Sequence, residues 1–428
     1  MNTSDELQQR LLEQIMSIPV VDVHSHVPHT SPYARSLRDL LGYHYFTELA
    51  HSAGMSREVI AEDNPDEEMI PALIQAMEAL DNTVQYEWMI ELAQELFGFE
   101  DRRLTTENWQ GLASAVKDQS TVPGREREIL EKSSIERVFL TNPFDDDLES
   151  VDTDIFVPSL RADGLVFDLT DEAVQESLQE VSGVSVGDAT DLREALGNIV
   201  DLFKNHQAAS LALSLPPDFK VSPIVDSDLD TAVGKAMQGK PLSQAETENL
   251  QCGVLFALAE LCRDQKLPMQ LMYGVVRDAY HHGVPQGTDL PVAGDSLRGL
   301  LPLLNGFPEV TFCLSILSDS QAQELASFGW ILHNVVVSGH WWYDTVPAYV
   351  ERDLTARIQS VPKTQLIGFY SDMYKLEFGL PKYNMYRRIL ARVLGEDLVE
   401  TGRGTEEEAV DVARALLRDN AVRIFGLA

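Results

Sequence analysis

Cysteine is scarce in this chain. It has three, Cys252, Cys262 and Cys313. None forms a CxxC pair, and an odd count suits reduced thiols better than a secreted disulfide framework. All three are expected in the core. Positive charge is also scarce: 33 Lys and Arg stand against 68 Asp and Glu, a net charge of -35. Such a surface repels nucleic acid and anionic membranes, so neither is an expected partner. It also repels anionic small molecules at long range, so an acidic substrate needs a local arginine or a metal to hold it. Long apolar runs are absent, none reaching the ~18 residues of a membrane helix. The first residues, Asn2 to Glu6, are polar and acidic rather than basic and then apolar, so no signal peptide is expected. These absences together lead to an expectation of a soluble, cytoplasmic protein.

Short apolar runs, by contrast, are plentiful. The chain is 428 residues long and 44% hydrophobic, enough to build a core without staples. Eight runs read as buried strands: 19–26 (PVVDVHSH), 135–142 (IERVFLTN), 154–161 (DIFVPSLR), 209–215 (ASLALSL), 268–275 (PMQLMYGV), 310–317 (VTFCLSIL), 334–341 (NVVVSGHW) and 365–372 (QLIGFYSD). Amphipathic stretches of helical period lie between them, clearest at 191–206, 246–265 and 318–332. Continuous apolar strands alternating with helices mean parallel β covered on both faces. Eight of them, with no GxGxxG after the first, predict an α/β fold of the closed (β/α)8 TIM barrel type rather than an open dinucleotide-binding sheet. Residues 1–428 are expected to form this one barrel unit. Residues 30–130, between the first two runs, are predicted to be a mostly helical insertion over the barrel mouth. The stretch 216–245, rich in Pro, Asp and Gly, is predicted to be an extended loop. The tail from Tyr383 is predicted to be helical and to pack outside the barrel. No internal repeat is present.

The chemistry concentrates at strand ends. In Asp22-Val23-His24-Ser25-His26, strand alternation puts His24 and His26 on one side. Two neutral imidazoles there form a ready chelate for one divalent metal ion, zinc first, with manganese or iron as alternatives. Asp372 ends the eighth run. In a closed barrel the first and eighth strands are neighbours, so Asp372 reaches the same ion as ligand, general base or both.

With an HxH on strand one and an Asp on strand eight, the chain resembles the amidohydrolase superfamily. Its last third is similar to uronate isomerases, the aldose–ketose isomerases of glucuronate and galacturonate. The matching segments are SGHWWYD (338–344), LIGFYSDMYKLEFGLPKYNMYRRIL (366–390) and DNAVRIFG (419–426). Weaker matches are LGYHYFTELAHSAG (41–54), VPSLRAD (157–163), PMQLMYGVVRDA (268–279) and TDLPVAGDSLRGLL (288–301). The resemblance implies that His24, His26 and Asp372 hold the metal and that His44 and Tyr45 reach the site from the first loop. It further implies that Arg161 clamps the substrate carboxylate and that Trp341 and Trp342 wall the pocket.

Three departures stand out. Met272 occupies the place of a histidine ending strand five, and a thioether is a poor ligand for such an ion. Tyr374, with Lys375 beside it, replaces an arginine that would grip a sugar acid. His340 replaces a small residue on strand seven, where it is expected to reach the metal or act as acid or base. His281 and His282, beyond strand five, are further candidates. The leading reading is an isomerase of a sugar acid, with Asp372 or Tyr45 moving a proton between the first two carbons. A metal-dependent hydrolase or carbon–carbon lyase, and a non-catalytic ligand-binding descendant, are the alternatives. Barrels of this kind often form homo-oligomers, an expectation by analogy alone.

Overall fold

In the computed structural model, which describes residues 3–61, 64–292 and 296–427, all eight apolar runs contain strands. Parts of the expectations above lie outside the described residues: Met1 and Asn2, positions 62–63 of the insertion 30–130, positions 293–295 of the segment 288–301, and Ala428. The strands are β1 (Val20–Asp22), β2 (Ile135–Phe139, resuming at Asn142–Pro143), β3 (Phe156–Val157 and Ser159–Arg161), β4 (Ser210–Leu215), β5 (Met269–Tyr273), β6 (Phe312–Ile316), β7 (Val335–Ser338) and β8 (Leu366–Ile367). Neighbours pair in parallel in chain order from β1 to β8. The ring closes just beyond β1 and β8. There the Asp372 amide donates to the His24 carbonyl at 3.1 Å, and the His26 amide donates to the Met373 carbonyl at 2.8 Å. The barrel expected from the alternating pattern is therefore formed, with His24, His26 and Asp372 on the extended segments that follow its first and last strands.

β4, β5 and β6 are buried at every position, which is why their sequences read as unbroken apolar runs rather than alternating ones. Helices pack around them. The stretch between β1 and β2 holds α1 (Leu37–Leu41), α2 (His44–Ser52), α3 (Asp66–Met77), α4 (Val84–Phe97) and α5 (Trp109–Gln119). Its apolar side chains join the same contiguous core as the strands. At the C-terminal end, α8 (Gly379–Leu394) is buried along most of its length. It lies against the helix Thr3–Met16 and against α7 (Pro347–Ser360).

The loop expected over 216–245 is corrected: α6 (Asp226–Ala236) forms inside it. Leu229, Ala232, Val233 and Ala236 are its buried positions, a helical i, i+3, i+4, i+7 stripe. The Asp and Gly residues between them hid that period. The three cysteines are free and buried. Among the described residues no helix is long and apolar enough to cross a membrane.

Candidate active site

The C-terminal ends of the strands surround a cavity of about 240 Å³ lined by His24, His26, His44, Arg161, Ser214, Met272, Arg277, Gln286, Asp289, Trp341, Trp342, Asp372 and Tyr374. A larger hollow of about 560 Å³ lies beside it. It shares Trp342 but carries no imidazole or guanidinium, so the chemistry belongs to the smaller one.

At its floor, His24 Nε2 and His26 Nε2 lie 3.4 and 3.3 Å from Asp372 Oδ1. Two ligands at ~2.1 Å from one tetrahedral cation sit about 3.4 Å apart, so this spacing suits a shared ion. His24 has no hydrogen-bond partner on either ring nitrogen, nor has Asp372 on Oδ1. Buried polar atoms are rarely left so.

The tautomer of His26 points the same way. Thr141 Oγ1 donates its one proton to the Ser25 carbonyl at 3.0 Å. It must therefore accept at its 2.8 Å contact with His26 Nδ1, which makes Nδ1 the protonated nitrogen. The Nε2 lone pair then faces Asp372. Burial pushes the Asp372 carboxyl up, but the two imidazoles beside it more than reverse this and leave it well below the usual carboxylate range. A lone pair and an ionised carboxylate at this distance need a proton or a cation between them. Burial lowers the His26 imidazole from its ordinary value, which favours the cation. Thr141→Val keeps the side-chain shape but removes the acceptor. It is expected to weaken metal binding about 10- to 100-fold with the fold retained. An unchanged affinity in a metal titration would show that the tautomer is set elsewhere.

Asp372 is held from behind. Its φ is +51°, in the left-handed region that costs a side chain of this kind. Tyr45 Oη donates to Asp372 Oδ2 at 3.0 Å, and Tyr43 Oη donates to the Asp372 carbonyl at 2.8 Å. Lys382 Nζ, from α8, donates to Tyr43 Oη at 2.9 Å and to the Ser371 carbonyl at 2.7 Å. Burial lowers this lysine to about 7. Asp22 accepts from the Ser371 amide at 2.8 Å, from the Ser371 hydroxyl, and from Tyr383 Oη at 2.9 Å. Burial and the nearby Asp372 charge raise the Tyr45 phenol well above its ordinary value. The Tyr45 phenol thus keeps its proton and directs it at Asp372 Oδ2.

The walls divide by charge. Arg161 lines one side, with Nε 3.3 Å from Asp163. Arg277 lines another and is paired with the mostly buried Asp289 at 2.5 Å. His44, on α2, is driven to about 3 mainly by burial and is neutral. Trp341 and Trp342 close the β7 side, and Trp342 carries a φ of +46°. Tyr374 stands 4.9 Å from the His26 ring, where an arginine would have been a charged anchor, and Met272 presents its thioether to the cavity.

Two expectations change here. His340 does not line the cavity. Gly339, with φ +55°, breaks the two-residue alternation after β7 and turns the imidazole outward, to within 3.5 Å of Asp353 on α7. His281 and His282 are exposed on their loop and stay outside the cavity. The residues that the sequence reading missed are Arg277, Asp289, Lys382, Tyr43 and Thr141. Arg277, Asp289, Lys382 and Tyr43 fall in segments already matched to uronate isomerases, and the charge of the first three was the available signal; Thr141 lies outside those segments and had none.

A family model described as glucuronate isomerase matches residues 2–425. The uronate isomerase of Corynebacterium efficiens is 24% identical over 456 residues, covering 99% of this chain and 96% of its own length. The crystal structure of uronate isomerase from Thermotoga maritima superimposes with a TM-score of 0.89 at 21% identity, covering 99% of both chains. That of glucuronate isomerase from Caulobacter crescentus gives 0.90 at 19% identity, covering 100% of this chain and 95% of the other.

Proposed function

The chain belongs to the glucuronate isomerase family, and on that premise we propose that it interconverts the aldose and ketose forms of a hexuronate in the cavity at the barrel mouth. One observation carries the reading: the His24, His26 and Asp372 triad shares a single cavity with two guanidiniums, Arg161 and Arg277. An uncharged-ester hydrolase has no need of the second feature.

His24, His26 and Asp372 would hold one divalent cation, and their nitrogen and oxygen donors suit zinc, with manganese or iron as alternatives. When bound, that ion supplies a Lewis acid for substrate hydroxyl and carbonyl oxygens. Arg161 and Arg277 bind the carboxylate against the repulsion of the acidic surface. Neutral His44 hydrogen-bonds a sugar hydroxyl. Trp341 and Trp342 exclude water from the reacting carbons. Asp372 takes the proton from C2 and returns it to C1 through an enediol, as the hydroxyl proton of O2 passes to O1, while Tyr45 keeps its Oδ2 in place. With Tyr374 and Met272 where a guanidinium and an imidazole would stand, the grip on the carboxylate rests more on Arg277.

The test is proton NMR of metal-loaded protein with glucuronate and galacturonate in deuterium oxide. Ketose formation with deuterium entering the transferred position is expected. No turnover of either acid by loaded protein would sink the reading. Arg277→Met is expected to lower kcat/KM for the uronate by about 10- to 100-fold, mostly through KM, as a charge-assisted hydrogen bond is lost. Steady-state kinetics on the acid and on its neutral amide separate charge recognition from general damage, since the amide should lose far less.

A further inference from the structure

Outside the barrel wall, between β7 and α7, a second group of potential ligands is sealed from solvent. His340, Asp344 and Asp353 are each about 1% exposed, and one donor atom from each lies within 4.8 Å of the others. His340 Nδ1 is 3.5 Å from Asp344 Oδ2 and 3.5 Å from Asp353 Oδ2. Those separations are long for hydrogen bonds and close to the ~3.4 Å expected between ligands of one tetrahedral cation. Both His340 nitrogens and both Asp344 oxygens have no hydrogen-bond partner. Leaving such atoms buried and unpaired costs stability at each one.

We propose that His340, Asp344 and Asp353 form a second, structural site for a divalent transition-metal cation such as Zn²⁺, separate from the site at the barrel mouth. The charges allow it. Arg357 pairs with Asp353 at 2.5 Å and donates to the Gly339 carbonyl at 2.6 Å. Burial pushes the Asp344 carboxyl up to about 7, and a bound cation displaces its proton, so in the metal-bound form two carboxylates and one guanidinium leave one net negative charge. A divalent ion brings that to +1, the same as one carboxylate plus a divalent ion at the His24, His26 and Asp372 site. The imidazole offers a lone pair rather than a competing charge, because burial and the Arg357 guanidinium keep it neutral.

The position gives the ion a task. Its ligands at 340 and 344 bracket Trp341 and Trp342, which wall the catalytic cavity. Trp342 has a left-handed backbone that its surroundings must enforce. A cation joining His340 and Asp344 to Asp353 ties this turn to α7 and fixes the indoles.

The experiment is to strip the full-length protein with a chelator, reload it with excess Zn²⁺, remove unbound metal by gel filtration and count equivalents per chain. Two are expected for the natural sequence. One is expected for Asp344→Asn, and one for Asp372→Asn, in which only the mouth site is damaged. Added Zn²⁺ should still raise the thermal midpoint of Asp372→Asn, and should not raise that of Asp372→Asn/Asp344→Asn. Saturation of the natural protein at one equivalent, or of Asp372→Asn at none, would overturn the proposal. So would retention of both equivalents by Asp344→Asn. The Asp372→Asn count decides the matter even if the Asp344 variant does not fold, because the second cluster is intact in it.

Discussion

Replacing Asp372 with Asn is expected to lower kcat for uronate isomerisation by about 10³-fold and to remove one equivalent of bound metal. The amide is the same shape. With its oxygen toward the imidazoles its NH2 faces Tyr45 and donates to Oη, reversing that hydrogen bond, and the Tyr43 contact to the backbone carbonyl is untouched. What changes is the charge and the basicity. A neutral amide oxygen between His24 Nε2 and His26 Nε2 no longer completes an anionic ligand set, and it cannot accept the C2 proton. KM should rise far less than kcat falls, because Arg161 and Arg277 still hold the carboxylate although the ion's contact with the substrate oxygens is lost. Metal analysis and kinetics on one preparation check both parts. Full metal retention with kcat within tenfold of the natural enzyme would show that Asp372 is neither ligand nor proton carrier.

Gly339→Ala is expected to give the largest loss of stability, about 3 kcal/mol. Two costs add. At φ +55° a side chain meets its own backbone, worth ~1–2 kcal/mol. The new methyl would also lie 2.2 Å from Tyr370 Cδ1 and 2.4 Å from its Cε1, and overpacking of this kind costs ~1–3 kcal/mol. Tyr370 is 1% exposed and cannot swing into solvent. Its ring also packs edge-on against His24 at 5.2 Å, so the displacement should reach the metal site and lower kcat as well. Gly124→Ala is the control. Gly124 has φ +76° but open space around it, so it carries the backbone cost alone. Thermal midpoints should fall markedly further for Gly339→Ala; equal drops would rule out the steric part.

Much of the site was legible because strand periodicity is local. The HxH pattern places two imidazoles on one side whatever the rest of the chain does, and an Asp ending the eighth run becomes their neighbour once a barrel is assumed. Arg161, His44, Trp341 and Trp342 followed from segments similar to uronate isomerases, and each lines the cavity. His340 misled for a local reason. The alternation that served His24 and His26 fails one residue after a left-handed glycine, and a glycine's φ is not written in its sequence. The helix over Asp226–Ala236 was missed because its apolar stripe is interrupted by Asp, Thr and Gly.

Composition and periodicity alone settled the eight strands, their parallel, doubly covered character, and the place of the histidine pair and Asp372 at the close of the first and last apolar runs, just beyond the strands themselves. Those properties follow from backbone geometry and from the burial preference of nearby side chains, which act over a few residues. Only the tertiary structure decided what stands behind the site: Tyr45 on Asp372, 327 positions away, and Lys382 on Tyr43, 339 positions away. It also decided that Thr141 sets the tautomer of His26 and that Arg277 joins Arg161. Such contacts arise where barrel closure and the packing of α8 bring distant segments together. No local pattern encodes them, because each partner's environment is supplied by a part of the chain more than a hundred residues away.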